Sequence, residues 1–373
     1  MFLILYICIM QETLFDTDIP LDWEQHWKYM PDFKQNDLTP FRQILVSFKN
    51  QEEVNEFAKM TGAKITKDTR STWFIPEYYG SGDNWEKNYY TNEKPIQPKY
   101  PIYIISKGRW HNPLTAISLD KMNVDYKICV EPKEFENYKS VISEKKILCL
   151  PENFSELGSG SIPVRNFVWE HSIKNGAEKH WILDDNIHCF LRTTNNIRAV
   201  VYSGATFCAI EDFVDRYENI GIAGMNYYTF THRRVKFAPY KLNTRIYSCI
   251  LIDNKLNHRW RGKYNEDTDL SLRVLKDGLC TVLFNTFSCY KKSTMLMKGG
   301  NTDTIYNSGD NRREFAESLK KQHPDLVEVV YKFNRWHHNV NYKQFKKLKL
   351  KLKPNLNIPD KPNNYGMRFS VFS

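Results

Sequence analysis

Long apolar runs are scarce in this sequence. Beyond residues 1–10, no stretch approaches the roughly 20 consecutive apolar residues that a membrane-spanning helix needs. The 1–10 run, MFLILYICIM, is too short to span a bilayer. It also has neither the basic start nor the small-residue cleavage site of a secretory signal. We read it as a non-structural or over-extended start, with Met10 an alternative initiator, and expect no membrane partner. Any C-x-x-C pair is missing too, and the eight cysteines are scattered, with Cys129, Cys149 and Cys249 inside apolar runs. That argues against a zinc ribbon or a disulfide framework and fits reduced, buried thiols inside a cell. There is no internal repeat.

What remains is ample. A chain of 373 residues holds one large domain with a smaller one attached, and 41% hydrophobic content supports a substantial core. The net charge of +10 points to a polyanionic partner or to a merely basic face, and charge alone does not choose between them.

Residues 11–79 read as a small α+β module. It opens with aromatics (Trp23, Trp27, Tyr29, Phe33), expected as core, continues with a strand at 44–48, then a helix over 51–61 stopped by Gly62. Residues 80–100 lack apolar periodicity and read as a linker. From 101 to 345 strands and helices alternate. Strands are expected at 102–106, 126–130, 146–150, 180–184, 221–225, 247–253 and 280–285. Helices are expected at 113–122, 132–141, 163–175, 205–217 and 267–277, with Pro163 in a first turn and Gly176 and Gly278 after helix ends. This alternation predicts a largely parallel sheet covered by helices. Residues 346–373 form a basic, proline- and asparagine-rich tail, either an arm for a polyanion or a solvated surface.

The chemistry concentrates in two acidic groups. Trp181-Ile182-Leu183 ends abruptly in Asp184-Asp185-Asn186, which places carboxylates at the carboxyl edge of a sheet, where open α/β sheets bind ligands. Adjacent carboxylates repel, so a fold that holds them together supplies a cation; Mg²⁺ or Mn²⁺ suits oxygen ligands. A polar turn explains the same residues. Downstream, Glu266, Asp267 and Asp269 open a helix, where the dipole favours them but capping does not need three. Together the groups supply metal ligands and a general base.

A strand ending in Asp-Asp-Asn followed by a Glu-Asp-x-Asp-Leu helix start resembles a GT-A glycosyltransferase. More narrowly, the chain resembles the TET/JBP-associated glycosyltransferases. The landmarks are Ser106-Lys107-Gly108-Arg109, Arg165-Asn166, the two acidic groups, Lys298-Gly299-Gly300 and Arg335-Trp336-His337-His338. The resemblance implies a Rossmann-related, mixed and mostly parallel sheet. It also implies transfer of a sugar from a UDP-sugar to a hydroxymethylated pyrimidine in double-stranded DNA, 5-hydroxymethylcytosine first among acceptors. In that reading Asp267 is the base, with Glu266 its runner-up, while Asp269 orients the acceptor or caps the helix. Ser106, Lys107, Gly108, Arg109, Arg165, Asn166, Asp184, Lys298, Gly299 and Gly300 bind the nucleotide sugar. Asp185, Asp184, Asn186 and His337 hold the metal, although a carboxamide at Asn186 is a weaker ligand than the usual third carboxylate. Arg335, Lys346, Lys347 and Lys349 contact DNA. The small module is similar to a phage domain found beside DNA-modifying enzymes, so other such enzymes are candidate partners. The setting implied is an infected bacterium's cytoplasm, where the sugar shields viral DNA from nucleases. A metal-dependent nuclease and an inert DNA-binding protein on a transferase fold are the alternatives.

Overall fold

The computed structural model describes residues 22–73, 85–158, 160–262, 264–292 and 311–372. Its strands, in chain order, are β1 (Asn88–Thr91), β2 (Ile102–Ile105), β3 (Lys127–Val130), β4 (Ile147–Cys149), β5 (Lys179–Asp184), β6 (Ile187–Thr194) and β7 (Ile197–Tyr202). They continue with β8 (Ile220–Tyr227), β9 (Tyr240–Leu242), β10 (Cys249–Asp253), β11 (Cys280–Lys291), β12 (Val327–Lys332), β13 (Arg335–Val340) and β14 (Arg368–Val371). The α-helices are α1 (Trp23–His26), α2 (Gln51–Thr61), α3 (Leu114–Lys121), α4 (Phe135–Lys139), α5 (Ile162–Lys174), α6 (Ala205–Asp215), α7 (Glu266–Lys276) and α8 (Arg312–Gln322).

One mixed sheet runs β14-β1-β7-β6-β11-β8-β10-β5-β2-β3-β4, with β9 on β11, while β12 and β13 form a separate ribbon. The β5-β2-β3-β4 end of the sheet is parallel, as the α/β alternation predicts. Strand β5 sits between β2 and β10 and is covered on both faces, which is why Trp181, Ile182 and Leu183 are consecutive apolar residues. Successive side chains alternate between two cores. Trp181 and Leu183 join Ile104, Phe207 and Phe213. Ile182 joins Tyr103, Trp169, Ile250 and Leu270. Helices α3 and α6 therefore cover one face, and α5 and α7 the other.

Most of the expected helices form with small shifts at their ends, but the one expected at 132–141 is a 3-10 turn at Pro132–Glu134 followed by the five-residue α4. Gly176 and Gly278 follow α5 and α7 in left-handed conformations (φ +75° and +82°) that suit glycine. Cys129 and Cys249 are buried thiols as expected, but Cys149 is exposed because β4 is the sheet's edge. Among the described residues no helix is long and apolar enough to cross a membrane.

The chain departs from expectation at its two ends. Helix α2 forms, with Asn50 accepting the Glu53 N–H at 3.0 Å and Gly62 closing it. The strand expected at 44–48 does not: those residues pair with no strand among the described residues, and Ile44 and Leu45 are exposed. Trp27 is core, with Trp23 and Phe33 packed against it, but core of the large sheet, while Tyr29 is half-exposed. Trp27 is buried against Phe213, Tyr240 and Phe287, with ring centroids 5.8, 6.1 and 6.4 Å away. Residues 34–36 then bond to the β6–β7 turn, Lys34 N–H donating to Thr194 Oγ1 at 3.1 Å. Periodicity shows that these residues are buried and cannot show against what. Likewise β1 forms inside the stretch read as a linker, and β14 inside the tail, pairing with each other at the sheet's far edge. The β6–β7 hairpin also went unread, although Asn195-Asn196, both at positive φ, is a hairpin-turn signal.

Candidate functional site

The end of β5 is fixed by its neighbours before its side chains do anything. Asp184 N–H donates to the Ser248 carbonyl (2.8 Å), and Thr115, at the start of α3, donates its hydroxyl to the Asp184 carbonyl (2.6 Å). Thr115 Oγ1 also accepts the Ile187 N–H (2.9 Å), closing the Asp-Asp-Asn turn from both sides.

Each carboxylate then meets a cation of the protein. Asp184 Oδ2 accepts from Lys291 Nζ at 2.6 Å and from Ser248 Oγ at 2.7 Å, and its Oδ1 lies 3.3 Å from Arg165 Nη2. Burial alone raises the Asp184 carboxyl, but Lys291 and Arg165 outweigh it and hold it at about 2. Asp185 is buried, paired with Arg109, and accepts from Ser106 Oγ at 2.8 Å. Here burial wins over Arg109 and Ser106, and the carboxyl is raised. Asn186 donates its amide to the Lys292 carbonyl (2.8 Å), which leaves its Oδ1 buried with no hydrogen-bond partner among the described residues.

The loop after β2 is built onto the same edge. Ser106 Oγ and Tyr138 OH are 2.6 Å apart, Arg109 N–H donates to Tyr138 OH (3.1 Å), and Gly108 N–H donates to Glu134 (3.0 Å) at a left-handed turn, φ +66°. Lys107 is half-buried close enough to lower the Glu134 carboxyl, which burial raises overall.

Arg165 joins the two acidic groups. It projects from α5, buried, with its guanidinium 4.6 Å from the Trp260 ring, 3.6 Å from Glu266 and 3.8 Å from Asp267. Glu266 also accepts from Ser161 Oγ at 3.1 Å. Asp267 is the outlier. Its Oδ1 is buried with no hydrogen-bond partner among the described residues, and burial, with Glu266 and Asp184 nearby, raises its carboxyl to about 7 against the pull of Arg165. A carboxylate poised there accepts a proton readily.

The other expected residues lie elsewhere. Asp269 is fully buried away from the site, bonded to His323 Nε2 (2.9 Å), Arg261 (3.0 Å) and Arg273 (2.9 Å). Two residues along a helix turn the side chain by about 200°, so Asp267 and Asp269 face opposite ways. His323, Arg261 and Arg273 overcome its burial and hold the Asp269 carboxyl at about 2. The Asn166 amide is consumed by the Trp260 backbone, accepting at 2.8 Å and donating at 3.0 Å. His337 lies on β13 among cations, accepting from Arg335 Nε at 3.0 Å, and burial with Arg335, Arg312 and Lys332 lowers its pKa. It is not brought to the Asp-Asp-Asn turn. Arg335, Lys346, Lys347 and Lys349 are exposed. Lys298, Gly299 and Gly300 lie outside the described residues. Lys291 was missed by sequence reading. Its only signal was a basic pair, Lys291-Lys292, ending an apolar strand.

Among the described residues no group of three or more His, Cys, Asp or Glu side chains is arranged to hold a metal. The Asn186 oxygen, unpartnered among the described residues and beside two cation-paired carboxylates, is a donor that would suit Mg²⁺, an ion that takes few protein oxygens and completes its shell with water and phosphate.

No curated protein matches the chain. A family model described as TET-Associated Glycosyltransferase matches residues 100–300, which take in the β2 loop, Arg165, the Asp-Asp-Asn turn, α7 and Lys291. With more than half of its length matched, and with a strand-edge acidic turn facing an acidic helix start, the chain belongs to the TET-associated glycosyltransferase family.

Proposed function

We propose that the protein transfers a sugar from a UDP-sugar to the hydroxyl of a hydroxymethylated pyrimidine in duplex DNA, with 5-hydroxymethylcytosine the favoured acceptor and inversion at the sugar carbon. Asp267 carries this reading: a half-buried carboxylate whose Oδ1 is buried and, among the described residues, unpartnered, one guanidinium away from the strand edge where a nucleotide diphosphate binds. Asp267 takes the acceptor's hydroxyl proton as that oxygen attacks the sugar carbon. The bond from the sugar carbon to the diphosphate oxygen breaks, and its electron pair leaves with UDP. Arg165, Lys291 and Arg109 face the charge that develops on the diphosphate. A Mg²⁺ or Mn²⁺ ion held by Asp184, Asp185 and Asn186 together with the donor would add positive charge at the same place. The exposed cations Arg335, Lys346, Lys347 and Lys349 grip the DNA backbone, in keeping with the net charge of +10. Such an enzyme works in a cytoplasm alongside the enzymes that hydroxymethylate the base.

The test is mass spectrometry of duplex DNA containing 5-hydroxymethylcytosine or 5-hydroxymethyluracil, incubated with the protein, Mn²⁺ and a panel of UDP-sugars. A hexose or N-acetylhexosamine mass gain that disappears in Asp267→Ala supports the proposal and names donor and acceptor. DNA cleavage by Mg²⁺ without donor would replace it with a nuclease. Tight DNA binding with no mass gain for any pair would leave an inert binding protein.

A further inference from the structure

The β12–β13 ribbon carries two local penalties at one tip. Register pairs Lys332 with Arg335, so the loop is the two residues Phe333 and Asn334, both left-handed at φ +58° and +55°. A turn of this kind selects Asn and Gly, which tolerate positive φ, and a bulky aromatic there is strained. Directly opposed like charges on paired strands, here Lys332 and Arg335, are also unfavourable. Both cations are exposed, and Phe333 is half-exposed, its ring edge-on to His337 at 6.1 Å between centroids. Next to the tip, Tyr331 is 58% exposed.

The ribbon's base is firmly held. Val327 and Val340 pack with Leu319 of α8 and with Leu272 and Leu275 on the back of α7. The Arg313 guanidinium lies 4.9 Å from the Trp336 ring. Two residues along, Phe315 stacks on Tyr264 at 4.0 Å, and its carbonyl accepts from the Asn265 amide at 2.8 Å. Asn265 immediately precedes Glu266 and Asp267. The ribbon is therefore braced to the turn that presents the candidate base.

We propose that this hairpin is a duplex-opening wedge: Lys332 and Arg335 straddle phosphates while Phe333 enters the base stack and fills the space left by the base that swings out to Asp267. The inference rests on the DNA reading above. A polyanion relieves the Lys332–Arg335 repulsion, and an aromatic ring replaces the stacking that the extruded base gives up. Backbone strain kept at a surface tip, where Asn would relieve it, is a mark of use.

The test uses the full chain and an oligonucleotide with one 5-hydroxymethylcytosine beside 2-aminopurine, as duplex and as single strand. Phe333→Asn removes the ring while easing the turn, so it is expected to keep or raise Tm. Its ratio of duplex to single-strand affinity should fall tenfold or more, and the rise in 2-aminopurine fluorescence on duplex binding should vanish. Phe333→Trp should retain both. Lys332→Ala with Arg335→Ala should reduce the slope of log Kd against log salt by about two. If the unaltered protein binds duplex and neither variant changes affinity or fluorescence, the wedge is overturned and the DNA reading stands. If Phe333→Asn weakens both DNA forms equally, the wedge is overturned in favour of a plain contact. If the unaltered protein binds neither form even at low salt, the DNA reading falls and the wedge with it.

Discussion

At the scale of single residues, Asp184 and Asp267 share the Arg165 guanidinium yet are driven to opposite proton affinities. Asp184 has a second cation and a hydroxyl; Asp267 has burial and two like charges. Environments that separate two carboxylates in this way suit them to different tasks, which in the proposed reaction are holding charge and moving a proton. Asp267→Asn is expected to lower kcat by about 10²–10⁴-fold. The unaltered enzyme should show an acid limb near pH 7, absent from the residual activity of the variant. The linkage has a definite sign. A folded-state carboxyl raised above the ordinary 3.8 contributes stability below that value and loses it as pH rises through about 7. Asp267→Asn should therefore raise Tm, with a gain that grows between pH 5 and 8; a Tm unchanged across that range would count against the buried charge. Asp184 works the other way, its contribution complete above about pH 4 and lost as pH falls toward 2. Lys291→Met strands the Asp184 carboxylate beside Arg165 alone. A loss of up to about 3 kcal/mol in urea unfolding is expected, largely restored by adding Asp184→Asn. At the Asp-Asp-Asn turn, Mn²⁺ alone should barely move Tm, whereas Mn²⁺ with UDP should move it more than UDP does.

At the scale of elements, the arm at 22–36 belongs to the large sheet. Trp27→Ala opens a cavity against Phe213, Tyr240 and Phe287 and is expected to cost about 3–5 kcal/mol in urea unfolding. Phe41→Ser, at a fully exposed position, should cost less than about 0.5 kcal/mol. Equal effects would mean that the arm is not packed as described. The length of β11 matters in the same way. The apolar pattern through 285 predicts a shorter strand, but pairing with β6 carries the chain on to Lys291, and only that extension delivers the lysine to Asp184. Helix α7 divides its carboxylates by rotation, Asp267 toward Arg165 and Asp269 into the Arg261–Arg273–His323 cluster that ties it to the end of α8.

Across the whole molecule, 53 Lys and Arg against 43 Asp and Glu leave a basic surface, which in the proposed reaction meets the DNA backbone. Replacing Lys346, Lys347 and Lys349 with alanine should weaken duplex binding across all sequences. The slope of log K against log salt should shrink by roughly 2–3, measured by fluorescence anisotropy, if all three meet phosphate. An unchanged slope would remove this stretch from the DNA face.

The α/β alternation, the strand that ends in Asp184-Asp185-Asn186 and the acidic start of α7 are all legible in the amino-acid order. Each is written in contiguous residues through apolar runs, breakers and charge. Even the separation of Asp267 from Asp269 was legible in principle, because helical rotation is local. Which cation meets which carboxylate, that Trp23, Trp27 and Phe33 serve the large sheet, and that β1 and β14 close its edge emerge only in the folded chain. Those outcomes are pairings between segments far apart in the chain. Local periodicity reports that a side chain is buried, but the partner it is buried against is set by the packing of the whole.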